Sequence, residues 1–153
     1  MKTVKISIND IFIGMEVSSK RVITESDIND FAKLSGDTNP IHLDENYAKN
    51  SRYRKKIAHG LLSASFFSAL FGTKLPGTGC VYTSQSLKFK RPIYVGDEVN
   101  TYIKVKSIDK KTNKIIFITQ CIVNSKIAID GDAEILIKIS APFSFCSSLT
   151  FNS

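Results

Sequence analysis

The chain has 153 residues, 42% hydrophobic and 23% charged, with a formal net charge of +7; this length suits one domain with one sizeable core, so residues 1–153 read as a single domain. No apolar run is long enough to span a bilayer, the start Met1 to Ile6 alternates instead of forming a signal peptide's apolar core, and Cys80, Cys121 and Cys146 are odd in number and widely spaced, against a disulfide framework or zinc site. The expected setting is a reducing cytoplasm. The positive balance favours an anionic partner. Beyond short runs at Arg52 to Lys56 and Lys110-Lys111, however, the basic residues are dispersed like a solubilising surface, and the chain lacks the basic helix or aromatic-interleaved basic stretch of a nucleic-acid binder.

Val4, Ile6 and Ile8 alternate with polar residues, a weak strand signal, and Val17 to Ile23 is a second extended piece. Thr24 is a candidate N-cap with Asp27 at N3. Ile28, Phe31, Ala32 and Leu34 then follow at helical spacing up to Gly36. Asp44 can cap a helix of one or two turns through Tyr47 and Ala48. From Gly60, the segment Leu61 to Phe71 is apolar on nearly every face, as in a buried helix, and Gly72, Pro76, Gly77 and Gly79 end it. The rest is strand-like. Cys80 to Lys90 begins a run with Val81, Thr83, Gln85, Leu87 and Phe89 on one side. Pro92 and Gly96-Asp97 mark a turn. Val99, Thr101, Ile103 and Val105 alternate, and Ile115 to Val123 is apolar on both sides like a central strand. Asn124-Ser125 suggests a hairpin turn, and Ile127 to Ile139 returns with Asp130-Gly131 as a candidate bulge. Residues 141–153 lose the pattern and read as an irregular tail. The expected architecture is α+β, one antiparallel sheet wrapped around one long buried helix, with a second subunit completing the helix's burial.

The stretch Leu34 to Asp44 concentrates chemistry. Asp37 and His42 are five positions apart, which on a continuous helix would point them about 140° apart. Pro40 removes an N–H and pushes Asn39 out of the helical region, and Gly36 is placed to end the preceding helix. An ordered loop can therefore aim both side chains at one point. Asp37 alone is an ordinary turn residue and His42 alone an ordinary core histidine; their company with Asn39-Pro40 favours a site. His59 reads as structural, bonding backbone at the helix start. Two histidines and scattered acids suggest no metal site.

Ser35 to Asp44, Ile57-Ala58-His59-Gly60-Leu61 and Lys90 to Asp97 together resemble the MaoC-like (R)-specific enoyl-CoA hydratase family. The D-x-N-P-x-H element carries most of the resemblance; the A-H-G and R-P-x-x-x-G-D elements follow in the right order. The resemblance implies a hot-dog fold, usually dimeric, and reversible addition of water to a trans-2-enoyl-CoA to give an (R)-3-hydroxyacyl-CoA. It further implies that Asp37 and His42 are the catalytic pair, that the Gly60 N–H receives the thioester oxygen, that Ser68 supports the site from the buried helix, and that Asn39 orients the motif. The chain departs from close relatives at Gly36, where an acidic residue is common, and in its tail after Ile139.

Hydration needs water made nucleophilic at the β-carbon, a proton for the α-carbon and a place for charge on the thioester oxygen. Free Asp titrates near pH 3.9 and His near 6.5; burial raises the former, and we expect Asp37 and His42 to hold the water jointly, with Asp37 the base. Phe67 and Phe71 are expected to narrow the acyl channel and favour short chains. No cofactor is expected beyond the CoA of the substrate. A hot-dog acyl-CoA thioesterase and a non-catalytic acyl-CoA binding module are the alternatives at this stage.

Overall fold

Alternating apolar and polar residues build a six-stranded antiparallel sheet: β1 (Glu16–Val22), β2 (Cys80–Gln85), β3 (Lys88–Phe89), β4 (Glu98–Asp109), β5 (Lys114–Val123) and β6 (Lys126–Ile137). The computed structural model describes residues 4–137, and the expected tail at 141–153 lies outside them. The strand order is β1-β4-β5-β6-β2, with β3 also paired to β6, so β5 is central as its two-sided apolar sequence suggests. The turn between β5 and β6 places Asn124 at φ 48° and Ser125 at φ 60°, the twist a two-residue hairpin requires. The first sequence signal fails to make a strand. Val4 to Ile8 forms only a bridge, Lys5 with Gly77, plus backbone bonds to Pro76 and Thr78.

Helix α1 (Glu25–Ser35) starts at a capping box in which Thr24 accepts from Asp27 N–H while the Asp27 carboxylate accepts from Thr24 N–H; it ends at left-handed Gly36. Two short helices follow, α2 (Pro40–Leu43) and α3 (Glu45–Asn50), capped by Asn39 and Asp44. The apolar segment is not one long helix. It divides into α4 (Gly60–Ala64) and α5 (Phe66–Thr73) at Ser65, whose hydroxyl bonds back to the Leu62 carbonyl and competes with regular helix bonding there.

Of these helices, α5 packs on the sheet, against β1, β2 and β4. Leu62, Phe67, Leu70 and Phe71 are buried against Val99, Ile103, Val105, Ile115 and Phe117, and Phe71 meets Phe117 edge-on at 5.0 Å. Each such side chain contributes roughly 1.5–3 kcal/mol by leaving water. Burial is not all-round, however: Leu61, Ser65, Ser68 and Gly72 are exposed on one helical stripe.

Two expectations in the sheet are corrected. Cys80 to Lys90 is no continuous strand: the register slips between Tyr82 and Ser84, and β3 resumes only at Lys88. The β6 irregularity falls opposite Cys121 and Ile122, near Ala128, not at Asp130-Gly131. Gly131 is required for another reason: a Cβ there would sit 1.8 Å from the Ser86 carbonyl oxygen. The glycine admits the backbone that leads from β2 to β3.

Candidate active site

The Asp37 to His42 stretch is only partly loop. Residues 37–39 are irregular, and His42 sits in the single turn of α2. Three local bonds set the path. Asp37 Oδ1 accepts from Asn39 N–H at 3.2 Å, Asn39 Oδ1 accepts from Ile41 N–H at 3.2 Å, and Ser35 Oγ accepts from Asp37 N–H at 3.2 Å. The expectation of a wholly non-helical connection is thus corrected, while its consequence, convergence of the two side chains, is found.

His42 Nδ1 lies 2.7 Å from the Ile57 carbonyl. A carbonyl only accepts, so Nδ1 carries the hydrogen and Nε2 of the neutral ring keeps its lone pair. Burial holds the imidazole below its ordinary value of 6.5; the Ile57 carbonyl opposes that, neighbouring His59 adds to it and Asp37 opposes it. Asp37 is half-exposed, its side chain 51% accessible. One ring nitrogen from each of His42 and His59 and one Asp37 carboxylate oxygen lie within 4.8 Å of one another. Two acceptors holding one water at its tetrahedral angle are about 4.6 Å apart, so these groups are close enough to share one small molecule.

The fold therefore gathers both histidines and an acid that look scattered in sequence. The same three residues are close enough together to offer one ligand atom each to a single ion, and the two imidazole rings lie over one another, centroids 3.8 Å apart.

These groups open into a cleft of about 520 Å³. Phe31, Ile93 and Ile129 form its apolar wall, Gly60 and Leu61 its α4 side with the Phe89 ring of β3 against them, and Arg52, Lys90 and Arg91 its charged rim. Gly60 begins α4 without a side-chain cap from His59, and the first N–H groups of a helix lack intrahelical acceptors. A Cβ on Gly60 would meet the Phe89 ring at 2.5 Å. Of the rim cations, Lys90 pairs with Asp130 at 2.7 Å, Arg91 donates to the Ile127 carbonyl at 3.1 Å, and Arg52 stacks on Tyr53 at 4.6 Å.

The geometry places Asp37, His42 and Gly60 on this cleft, and Asn39 behind it as the α2 cap. It does not bring Ser68, Phe67 or Phe71 there. Ser68 is exposed on α5 and does not line the cleft, and Phe67 and Phe71 are sealed in the core. Ser65 keeps helical backbone and its N–H bond to the Leu61 carbonyl, while the sheet holds Phe67 and Phe71 in the core. Sequence reasoning also missed the cleft-lining place of His59 and Phe31, and Arg52, from a patch read first as solvated surface, lines the cleft as well. The A-H-G element itself was the available signal for His59.

A family profile described as MaoC like domain matches residues 11–126. The chain belongs to the MaoC-like family. It is 44% identical over 128 residues to an (R)-specific enoyl-CoA hydratase of Rhodospirillum rubrum, covering 84% of this chain and 89% of that one. It is 38% identical over 130 residues to a 3-hydroxybutyryl-CoA dehydratase of Methylorubrum extorquens, covering 85% and 82%. Among solved structures, this MaoC-like chain superposes on an unliganded R-hydratase of Pseudomonas aeruginosa with a TM-score of 0.83 at 35% identity, covering 89% and 88%. The α+β hot-dog architecture expected for the family is the one found.

Proposed function

We propose that this MaoC-like protein is an (R)-specific enoyl-CoA hydratase, a hydro-lyase that adds water reversibly to a trans-2-enoyl-CoA. The observation that carries the reading is the convergence of the Asp37 carboxylate and the His42 ring, within 4.8 Å of each other, at the wall of an apolar cleft. The sequence likeness to hydratases and a dehydratase supports it.

A water donating one hydrogen to Asp37 and the other to His42 Nε2 turns its lone pairs toward the β-carbon. Closure of the cleft by substrate desolvates Asp37 and raises its basicity, so we assign proton removal to Asp37. As the C–O bond forms at the β-carbon, electrons shift to the thioester oxygen. The Gly60 N–H takes that charge, a contribution worth about 10²–10³ in rate when one such donor is lost elsewhere. The proton on the pair then goes to the α-carbon. Asn39 keeps the motif in shape by capping α2. The reading assigns the reaction no cofactor of its own; CoA belongs to the substrate.

Arg52, Lys90 and Arg91 at the rim suit the phosphates of CoA. The wall of Phe31, Ile93 and Ile129 suits a short acyl chain, taking over the role first expected of Phe67 and Phe71. A homodimer fits the exposed stripe Leu61, Ser65, Ser68 and Gly72 together with the open edge of β2; Ser68 then belongs to a subunit contact. No helix among the described residues is long and apolar enough to cross a membrane, and Cys80 and Cys121 are free thiols, which fits a cytoplasmic enzyme of fatty-acid metabolism.

The test is loss of the conjugated-enoyl absorbance of crotonyl-CoA with chiral analysis of the product. (R)-3-hydroxybutyryl-CoA is expected, with crotonyl-CoA turned over faster than dodecenoyl-CoA. Release of free CoA thiol without hydration would make the protein a thioesterase, and binding without turnover would make it an acyl-CoA binding module.

A further inference from the structure

His59 is the most deeply buried polar group at the site, 2% exposed, and the mechanism above does not use it. Its position is defined from three sides. Nε2 lies 3.0 Å from the carbonyl oxygen of Asp37. One ring contact is His42, with centroids 3.8 Å apart and planes 30° from parallel; another is Phe31, 5.1 Å away. The Asp37 carbonyl accepts, so the His59 hydrogen sits on Nε2 and Nδ1 is bare; that Nδ1 is buried without a hydrogen-bond partner. The two imidazoles thus hold opposite tautomers: His42 donates from Nδ1, His59 from Nε2.

We propose that His59 is the positioning residue of the acid–base pair: its N–H fixes the backbone of Asp37, and its ring is the platform on which His42 lies. The inference rests on the hydratase reading of the site. One side chain on α4's start therefore registers both halves of the pair, which come from different local structures, the irregular residue 37 and the turn of α2. The titratable groups facing His59 are Asp37, with a carboxylate oxygen at 4.0 Å, and His42; α1 presents Phe31, which has no charge. A clamp of this kind matters because displacement of a catalytic group by about 1 Å can cost roughly 10²-fold in rate.

Two substitutions separate the two jobs. His59→Gln keeps a side-chain N–H of similar reach and removes the ring. His59→Phe keeps a ring and removes the donor. The chain has two histidines in all, so the imidazole ¹⁵N spectrum assigns each tautomer, independently of activity. In the wild type, one Nδ1–H ring and one Nε2–H ring are expected. In His59→Gln, the His42 nitrogens should move toward tautomer averaging as the ring loses its platform. In His59→Phe, His42 should keep its Nδ1–H form. Both variants should lose about tenfold or more in kcat for crotonyl-CoA with KM changed less than about threefold. Wild-type kcat in both folded variants would overturn the proposal, as would two rings of the same tautomer in the wild type. A wild type inert toward crotonyl-CoA but showing the expected tautomers and the expected response of His42 in His59→Gln would defeat the hydratase reading and leave the clamp standing.

Discussion

The His42 imidazole and the Ile57 carbonyl meet at 2.7 Å across fifteen residues of chain. This contact decides which nitrogen faces the cleft. Without it the ring could present a hydrogen to the water instead of a lone pair. It also ties α2 to the segment that leads into α4, so the His42 turn and the Gly60 N–H share one frame.

The first prediction concerns pH. His42 must be neutral for Nε2 to accept, and burial holds its titration below 6.5. Activity should persist as pH falls past 6.5 and fade only lower. Stability follows the same sign: the folded state disfavours the charged ring, so this contribution is complete above 6.5 and is lost as pH falls toward the folded value. A profile of kcat/KM against pH checks this; an acid limb centred at or above 6.5 contradicts it.

A second prediction concerns Gly60 and Phe89. A methyl group on Gly60 would overlap the Phe89 ring at 2.5 Å, and that ring is 54% exposed and free to swing. Gly60→Ala should keep the fold but push the ring across the cleft, lowering kcat/KM. Removing the ring in a Gly60→Ala, Phe89→Ala double variant should restore part of the loss, with a coupling of about 1 kcal/mol or more. Additive losses would show that the two do not interact.

Third, Gly131→Ala should destabilise the protein by roughly 2–3 kcal/mol. The added Cβ would overlap the Ser86 carbonyl at 1.8 Å, and a backbone oxygen cannot swing aside as a side chain can. Urea titration of the two proteins measures this. An unchanged midpoint would mean the β2–β3 connection has room it does not show.

Local signals were legible in the sequence because local physics made them. Thr24 and Asp27 form the capping box expected of them, Gly36 ends α1, Asp44 caps α3, and Asn124-Ser125 turns the hairpin. The alternation Val99, Thr101, Ile103, Val105 is the buried face of β4. Asp37 and His42 converge as their spacing around Pro40 suggested. What was not legible depended on contacts between distant segments. The apolar run from Leu61 to Phe71 does not say that it divides at Ser65, nor that Ser68 lands on the outside. Gly131 reads as a bulge in isolation and becomes a passage for Ser86 only once β2 lies beside β6. His59 reads as backbone support, which it is; that the backbone is Asp37's, and that its ring carries His42, needed the fold.

The most direct test replaces Asp37 with Asn, which keeps the size and the oxygen that accepts from Asn39 N–H but removes the charge. Crotonyl-CoA hydration should fall by several orders of magnitude while the thermal melt and the fold are retained. The wild type should give the (R) product. A folded Asp37→Asn variant that still hydrates crotonyl-CoA at a substantial fraction of the wild-type rate would contradict the account.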